Sequence, residues 1–125
     1  MKKILFSLFM SAALLFSSHS FADKQFSNGK ELLEYCRLAA DVMDRAAWKP
    51  QTEAPYVLGT KAGMCAGYIM SATEENRFCF PPNYNLLLGA AVVMKYLEKH
   101  PEQQELSAAL LTKRAYAEYF RCVRV

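Results

Sequence analysis

The side chains able to do chemistry are few, and four cysteines lead them: Cys36, Cys65, Cys79 and Cys122. An even count in a short exported chain implies a disulfide framework, and four cysteines allow three pairings that the sequence alone does not choose among. Zinc is the competing chemistry. Structural zinc sites need ligand pairs about two to four residues apart, and no two of these cysteines lie that close. A thiolate nucleophile would need an unpaired, low-pKa cysteine near a histidine. Past the N-terminal segment the chain has a single histidine, His100, placed before Pro101 where a ring caps carbonyls or meets solvent. The Gly-x-Ser-x-Gly serine motif, a phosphate-cradling glycine loop and the His-Glu-x-x-His metal motif are all missing. Asp41/Asp44 and Glu74/Glu75 are paired carboxylates, read as solvated helix positions. The expectation is therefore no catalytic residue, no metal and no cofactor.

What remains is binding. Tyrosine buries a large area at low entropic cost, so tyrosines on loops make good interface anchors. Tyr56 and Tyr84, flanked by polar residues or proline, are expected at an interface, whereas Phe78, Phe80 and Phe120 are expected to cover the core. The acidic turn Glu102, Gln103, Gln104, Glu105 offers charge to a basic partner.

The elements that must position these residues are helices, preceded by an export signal. Lys2 and Lys3, an apolar run from Ile4 to Phe16 and the small-x-small site Ser20-Phe21-Ala22 make residues 1–22 a signal peptide. The run is too short for a membrane span, which takes about 20 residues, so no stable membrane insertion is expected. The mature domain, residues 23–125, can bury one modest core and is marginal without reinforcement. Setting Lys2 and Lys3 aside leaves 13 basic residues against 12 acidic ones. With no basic stripe in the sequence, nucleic acid and anionic membrane surfaces are poor partners.

Four helices follow from the apolar periodicity, with no convincing strand. The first starts at Asn28, with Glu31 closing a capping box, presents Leu32, Cys36, Ala39, Met43 and Ala46, and stops at Pro50. Lys49 to Gly59 reads as a linker, and Thr60 as the cap of a second helix that runs to about Glu75. That helix presents Met64, Cys65, Tyr68, Ile69 and Ala72. Gly63 and Gly67, one turn apart in it, mark either a close helix approach or plain tolerance of glycine. A loop carries Cys79 and Pro81-Pro82. A third helix, Leu86 to Lys99, is apolar nearly all round, as in a bundle interior or an oligomer interface. A fourth, capped by Ser107, carries Leu110, Leu111, Ala115, Ala117 and Phe120. The fold class is all-α, a small disulfide-stapled bundle of about four helices.

In order along the chain come Leu32-Leu33-x-Tyr35-Cys36, Cys65-x-Gly67-Tyr68-Ile69, Cys79-x-Pro81-Pro82, Tyr96-Leu97-x-x-His100-Pro101 and Phe120-x-Cys122. This series resembles the Rap/Tai immunity proteins of bacterial type VI secretion systems across nearly the whole mature chain. Ser71 and Arg121 depart from the pattern, at positions that often hold glycine and proline, and neither should harm the fold. The resemblance implies a helical, periplasmic, commonly dimeric protein. It would bind and block a cognate peptidoglycan amidase effector, protecting the producing cell from itself and its siblings.

With that resemblance in place, the expected disulfides are Cys36–Cys65, joining the first two helices, and Cys79–Cys122, tying the central loop to the C-terminus. A simple antiparallel hairpin would instead set Cys36 against a region near residue 72, between Cys65 and Cys79. A loop on a rigid bundle can plug an enzyme cleft, so the toxin-binding candidates are Glu53 and Tyr56 in one loop, Tyr84 in the next, and His100, Glu102 and Gln103 in the segment His100–Glu105. The third helix is expected to contribute to a homodimer face. The rival class is a small periplasmic acid-stress chaperone, which would release hydrophobic surface on protonation.

Overall fold

The computed structural model describes residues 27–44 and 55–123. The expected signal peptide, Ala46, Pro50 and Glu53 lie outside the described residues, and the first helix ends at Met43 with Asp44 as its C-cap, short of the expected stop at Pro50. Four helices build the domain: α1 (Gly29–Met43), α2 (Pro55–Thr73), α3 (Leu86–Lys99) and α4 (Ala108–Tyr119), with a 3-10 turn at Pro101–Gln103. No helix among the described residues is long and apolar enough to cross a membrane.

Helix starts follow local chemistry. Asn28 caps α1 through a complete capping box: its Oδ1 accepts from the Glu31 amide at 3.1 Å, and the Glu31 carboxylate accepts from the Asn28 amide at 3.3 Å. Asn85 caps α3 by accepting from the Leu88 amide at 2.9 Å, and Ser107 caps α4 by accepting from the Leu110 amide at 3.2 Å. The start of α2 differs from expectation. It begins at Pro55, five positions before Thr60, so residues 55–59 of the expected linker are helical. Proline suits a first helical position because the amide it lacks would have no intrahelical acceptor there. Thr60 does not cap; its hydroxyl donates back to the Tyr56 carbonyl at 2.9 Å.

The core unites all four helices: Leu32, Leu33, Cys36 and Ala39 from α1, Cys65, Ile69 and Ala72 from α2, Ala90, Val92, Val93, Tyr96 and Leu97 from α3, and Ala108, Leu111, Ala115, Tyr116 and Phe120 from α4 and its end. The apolar bulk of α3 is thus used inside the bundle, and Leu87 is its exposed large hydrophobic residue. In α4 the buried face includes Thr112 and Tyr116, while Leu110 and Ala117, expected inside, lie exposed.

Two disulfides staple this bundle as expected. Cys36–Cys65 joins α1 to α2 with Cα atoms 5.1 Å apart, and both residues are fully buried. Cys79–Cys122 ties the α2–α3 loop to the chain end, with both cysteines exposed. Beside it the Cys79 amide donates to the Phe120 carbonyl at 2.9 Å, and Phe78 pairs with Arg121 in an isolated antiparallel bridge. A second bridge, Asn28 with Ser107, fastens the start of α1 to the start of α4.

Close backbone approach explains two glycines, and they are not the two singled out from spacing. A Cβ on Gly63 or Gly67 would meet no described atom within 4 Å, so no helix crosses tightly there. At Gly29 it would lie 2.8 Å from the Gln104 Cα, and at Gly89 2.5 Å from the Tyr116 hydroxyl and 2.8 Å from the Ile69 Cγ2. Glycine at these points lets α1 press on the 104 backbone and α3 press on the tyrosine cluster.

Candidate functional site

The end of α3 and the 3-10 turn form a densely cross-linked polar feature. The His100 ring packs on Tyr96, one helical turn earlier, with centroids 4.5 Å apart. Its Nδ1 lies 3.1 Å from a Glu102 carboxylate oxygen, and its buried Nε2 has no hydrogen-bond partner and lies 3.7 Å from Glu118 on α4. Gln103 turns inward, its Oε1 accepting from the Tyr96 hydroxyl at 3.0 Å and from the Arg114 guanidinium at 2.9 Å. Gln104 donates to the Leu97 carbonyl at 2.9 Å, and Leu106 donates its amide to the Gln103 carbonyl at 2.9 Å. Lys30 on α1 pairs with Glu105, and the Lys30 amide donates to the Gln104 carbonyl at 3.3 Å.

Electrostatics follow these contacts. A hydrogen bond from Lys99 at 2.6 Å holds the Glu118 carboxyl below the usual carboxylate range, and the same bond holds the Lys99 amine above its usual value. Glu102 is likewise depressed, first by its own backbone amide and then by His100. The result is a short turn braced by α1, α3 and α4, with Pro101, Glu102 and Glu105 facing solvent. Among the described residues no group of three His, Cys, Asp or Glu side chains could hold a metal ion.

Of the residues expected from sequence, His100, Glu102 and Gln103 come together here. Tyr56 stands apart on the first turn of α2, 78% exposed, the most solvent-facing large aromatic described. Tyr84 has a different setting. Its hydroxyl bonds those of Thr73 (2.8 Å) and Tyr116 (2.6 Å), and its ring packs on Phe80 and Phe120. Burial pushes the Tyr116 phenol well above its usual pKa, with the Tyr84 bond adding to it. Phe78, Phe80 and Phe120 complete this aromatic cluster, as expected for core cover.

With a rigid turn presented by a doubly stapled helical bundle, the comparison with known families is decisive. The model of the Rap1a immunity proteins matches residues 28–122. The chain belongs to this family. The match opens on the α1 cap and closes on the last cysteine, so it spans both disulfides and every described helix. No curated protein and no solved structure matches the chain. As a Rap1a immunity protein, the chain has an immunity role, and its functional surface is one that meets a toxin.

Sequence reasoning missed the braces of the turn: Tyr96, Arg114, Lys99 and Glu118. Tyr96 was findable, because residues four apart share a helix face and an aromatic there meets the His100 ring. Arg114 and Glu118 reach the turn only through the packing of α4 on α3, and no local spacing signals that.

Proposed function

We propose that this Rap1a immunity protein is exported to the periplasm, where it binds and inhibits a peptidoglycan amidase delivered by a type VI secretion system. The observation that carries the reading is the braced turn His100–Glu105. Its backbone and inward side chains are fixed by hydrogen bonds to helices α1, α3 and α4 and within the turn itself, while Glu102 and Glu105 stay at the surface. A preorganised protrusion loses little entropy on binding, and this is what a tight cleft-blocking inhibitor needs. Two disulfides with no free cysteine among the described residues support an oxidising compartment. The reading is of a binding protein and not an enzyme, acting as a homodimer, with Tyr56 and Glu53 as a second contact beside His100, Glu102 and Gln103.

The test is an inhibition assay with the amidase effector encoded beside this chain and purified peptidoglycan. Stoichiometric inhibition by the mature protein is expected, together with about hundredfold weaker inhibition when Glu102 and Glu105 are both replaced by alanine. Inhibition unchanged after alanine substitution through residues 100–105 and at Glu53 and Tyr56 would remove both segments from the interface. Sedimentation of the free protein reads the dimer directly.

A further inference from the structure

Beside the braced turn lies a groove of about 250 Å³, lined by Arg77, Phe78, Leu110, Lys113, Arg114 and Ala117. Its floor is apolar: Leu110 is exposed although it belongs to an apolar repeat, and the Phe78 ring carries the Arg77 guanidinium 5.5 Å from its centroid. Its rim is cationic. Away from the groove four cations are matched by carboxylates across elements, Arg37 with Glu98, Lys61 with Glu34, Lys30 with Glu105 and Lys99 with Glu118. At the groove a single carboxylate, Glu75, serves both Arg77 and Lys113. Arg114 meets the neutral amide oxygen of Gln103 and no described carboxylate. Three lining cations thus share one acid, although the sequence shows no basic stripe, because packing gathers residues from positions 77 and 113–114.

We propose that this groove is a second docking surface for the effector, one that receives a segment presenting a carboxylate beside an apolar side chain. The proposal rests on the immunity reading above and deepens it by naming the partner chemistry. Charge complementarity points to an anionic segment, and the apolar floor selects one that also buries a hydrocarbon side chain. Continuity favours the same partner as the turn, because Arg114 belongs to both: one face lines the groove and its guanidinium holds Gln103.

The experiment compares the binding of the purified neighbouring amidase to the full mature protein and to two variants, at low and at high salt. Lys113→Gln with Arg114→Gln removes two charges and keeps an amide donor at 114; Leu110→Ser removes the floor and leaves every charge. Circular dichroism and non-reducing peptide mapping check that each variant is folded. Wild-type affinity is expected to fall with salt, and the double variant to bind about tenfold more weakly at low salt, through association rate, with a flatter salt dependence. Leu110→Ser is expected to weaken binding with the salt dependence unchanged. Wild-type binding that neither variant alters overturns the groove and leaves the immunity reading standing. No amidase binding by the wild type overturns both. Equal binding of an unrelated DNA duplex would make the groove a general polyanion site and overturn the proposal.

Discussion

Replacing Gly89 by alanine should destabilise the protein although alanine is the better helix former. A Cβ at 89 would lie 2.5 Å from the Tyr116 hydroxyl, 2.8 Å from the Tyr84 hydroxyl and 2.8 Å from the Ile69 Cγ2. Neither phenol can step aside alone. Tyr116 is fully buried, and its ring packs edge-on against Phe78 at 5.7 Å and Phe120 at 5.0 Å. Overpacking a filled core costs about 1–3 kcal/mol, and parting the Tyr84–Tyr116 hydrogen bond leaves a buried hydroxyl unpaired at about 1–2 kcal/mol. The gain in helix propensity returns about 1 kcal/mol. The net loss is about 1–4 kcal/mol, or about 5–30 °C in Tm for a domain of this size. Gly67→Ala is the control, since a Cβ there meets no described atom and the change should stabilise by about 0.5–1 kcal/mol. Urea unfolding followed by far-ultraviolet circular dichroism, with disulfides intact, measures both. A Gly89→Ala protein as stable as the wild type would refute the close approach of α3 to the tyrosine cluster.

The two disulfides should respond differently to reductant. Under native conditions dithiothreitol is expected to open the exposed Cys79–Cys122 first and to spare the buried Cys36–Cys65, as read by alkylation and peptide mass. Removing Cys36–Cys65 by paired serine substitution should then cost about 3–4 kcal/mol in urea unfolding, from the chain entropy of a loop that size. In the folded protein the Glu75, Glu102 and Glu118 carboxyls, paired with Lys113, a backbone amide and Lys99 respectively, are all held below the usual carboxylate range. Their contribution is therefore complete above about pH 4.5 and is lost as pH falls through the lowered folded values. Stability should be flat from pH 7 to pH 5 in these terms and decline below, whereas an acid-activated chaperone would loosen and bind clients there.

Several helix ends are legible from local sequence, although Thr60 is not the cap that its type suggests. Asn28 with Glu31 announces α1, Asn85-Leu86 to His100-Pro101 brackets α3, and Ser107 starts α4, because caps and breakers act within one turn of the chain. Pro55 misled for the same reason: proline breaks a helix interior but opens a first turn, and its neighbours do not say which. The face of α4 was half legible. An apolar repeat offers Leu110 and Ala117 for burial, whereas Tyr116 is buried because it packs against Tyr84 and Gly89, and Thr112 because its hydroxyl is satisfied by the Ala108 carbonyl. Tyr84, expected to face a partner, sits half-buried with its hydroxyl in the tyrosine cluster, a setting that its sequence neighbours do not signal. The three cations lining the groove and the braces of the turn are non-local for the same reason, being assembled by α4 against segments far away in sequence.

The two bridges that tie the chain have a consequence for its biogenesis. The start of α1 is fastened to residues 104–108 by amide bonds from Gly29, Lys30 and Ala108, and Cys79 waits for Cys122. If the chain is exported as proposed, an N-terminal stretch that crosses the membrane ahead of the rest lacks the strand-like partner and the second staple that close the domain. Long-range closure of this kind is slow relative to local helix formation. Such a chain stays threadable until almost all of it has passed, and it locks only when its last cysteine arrives.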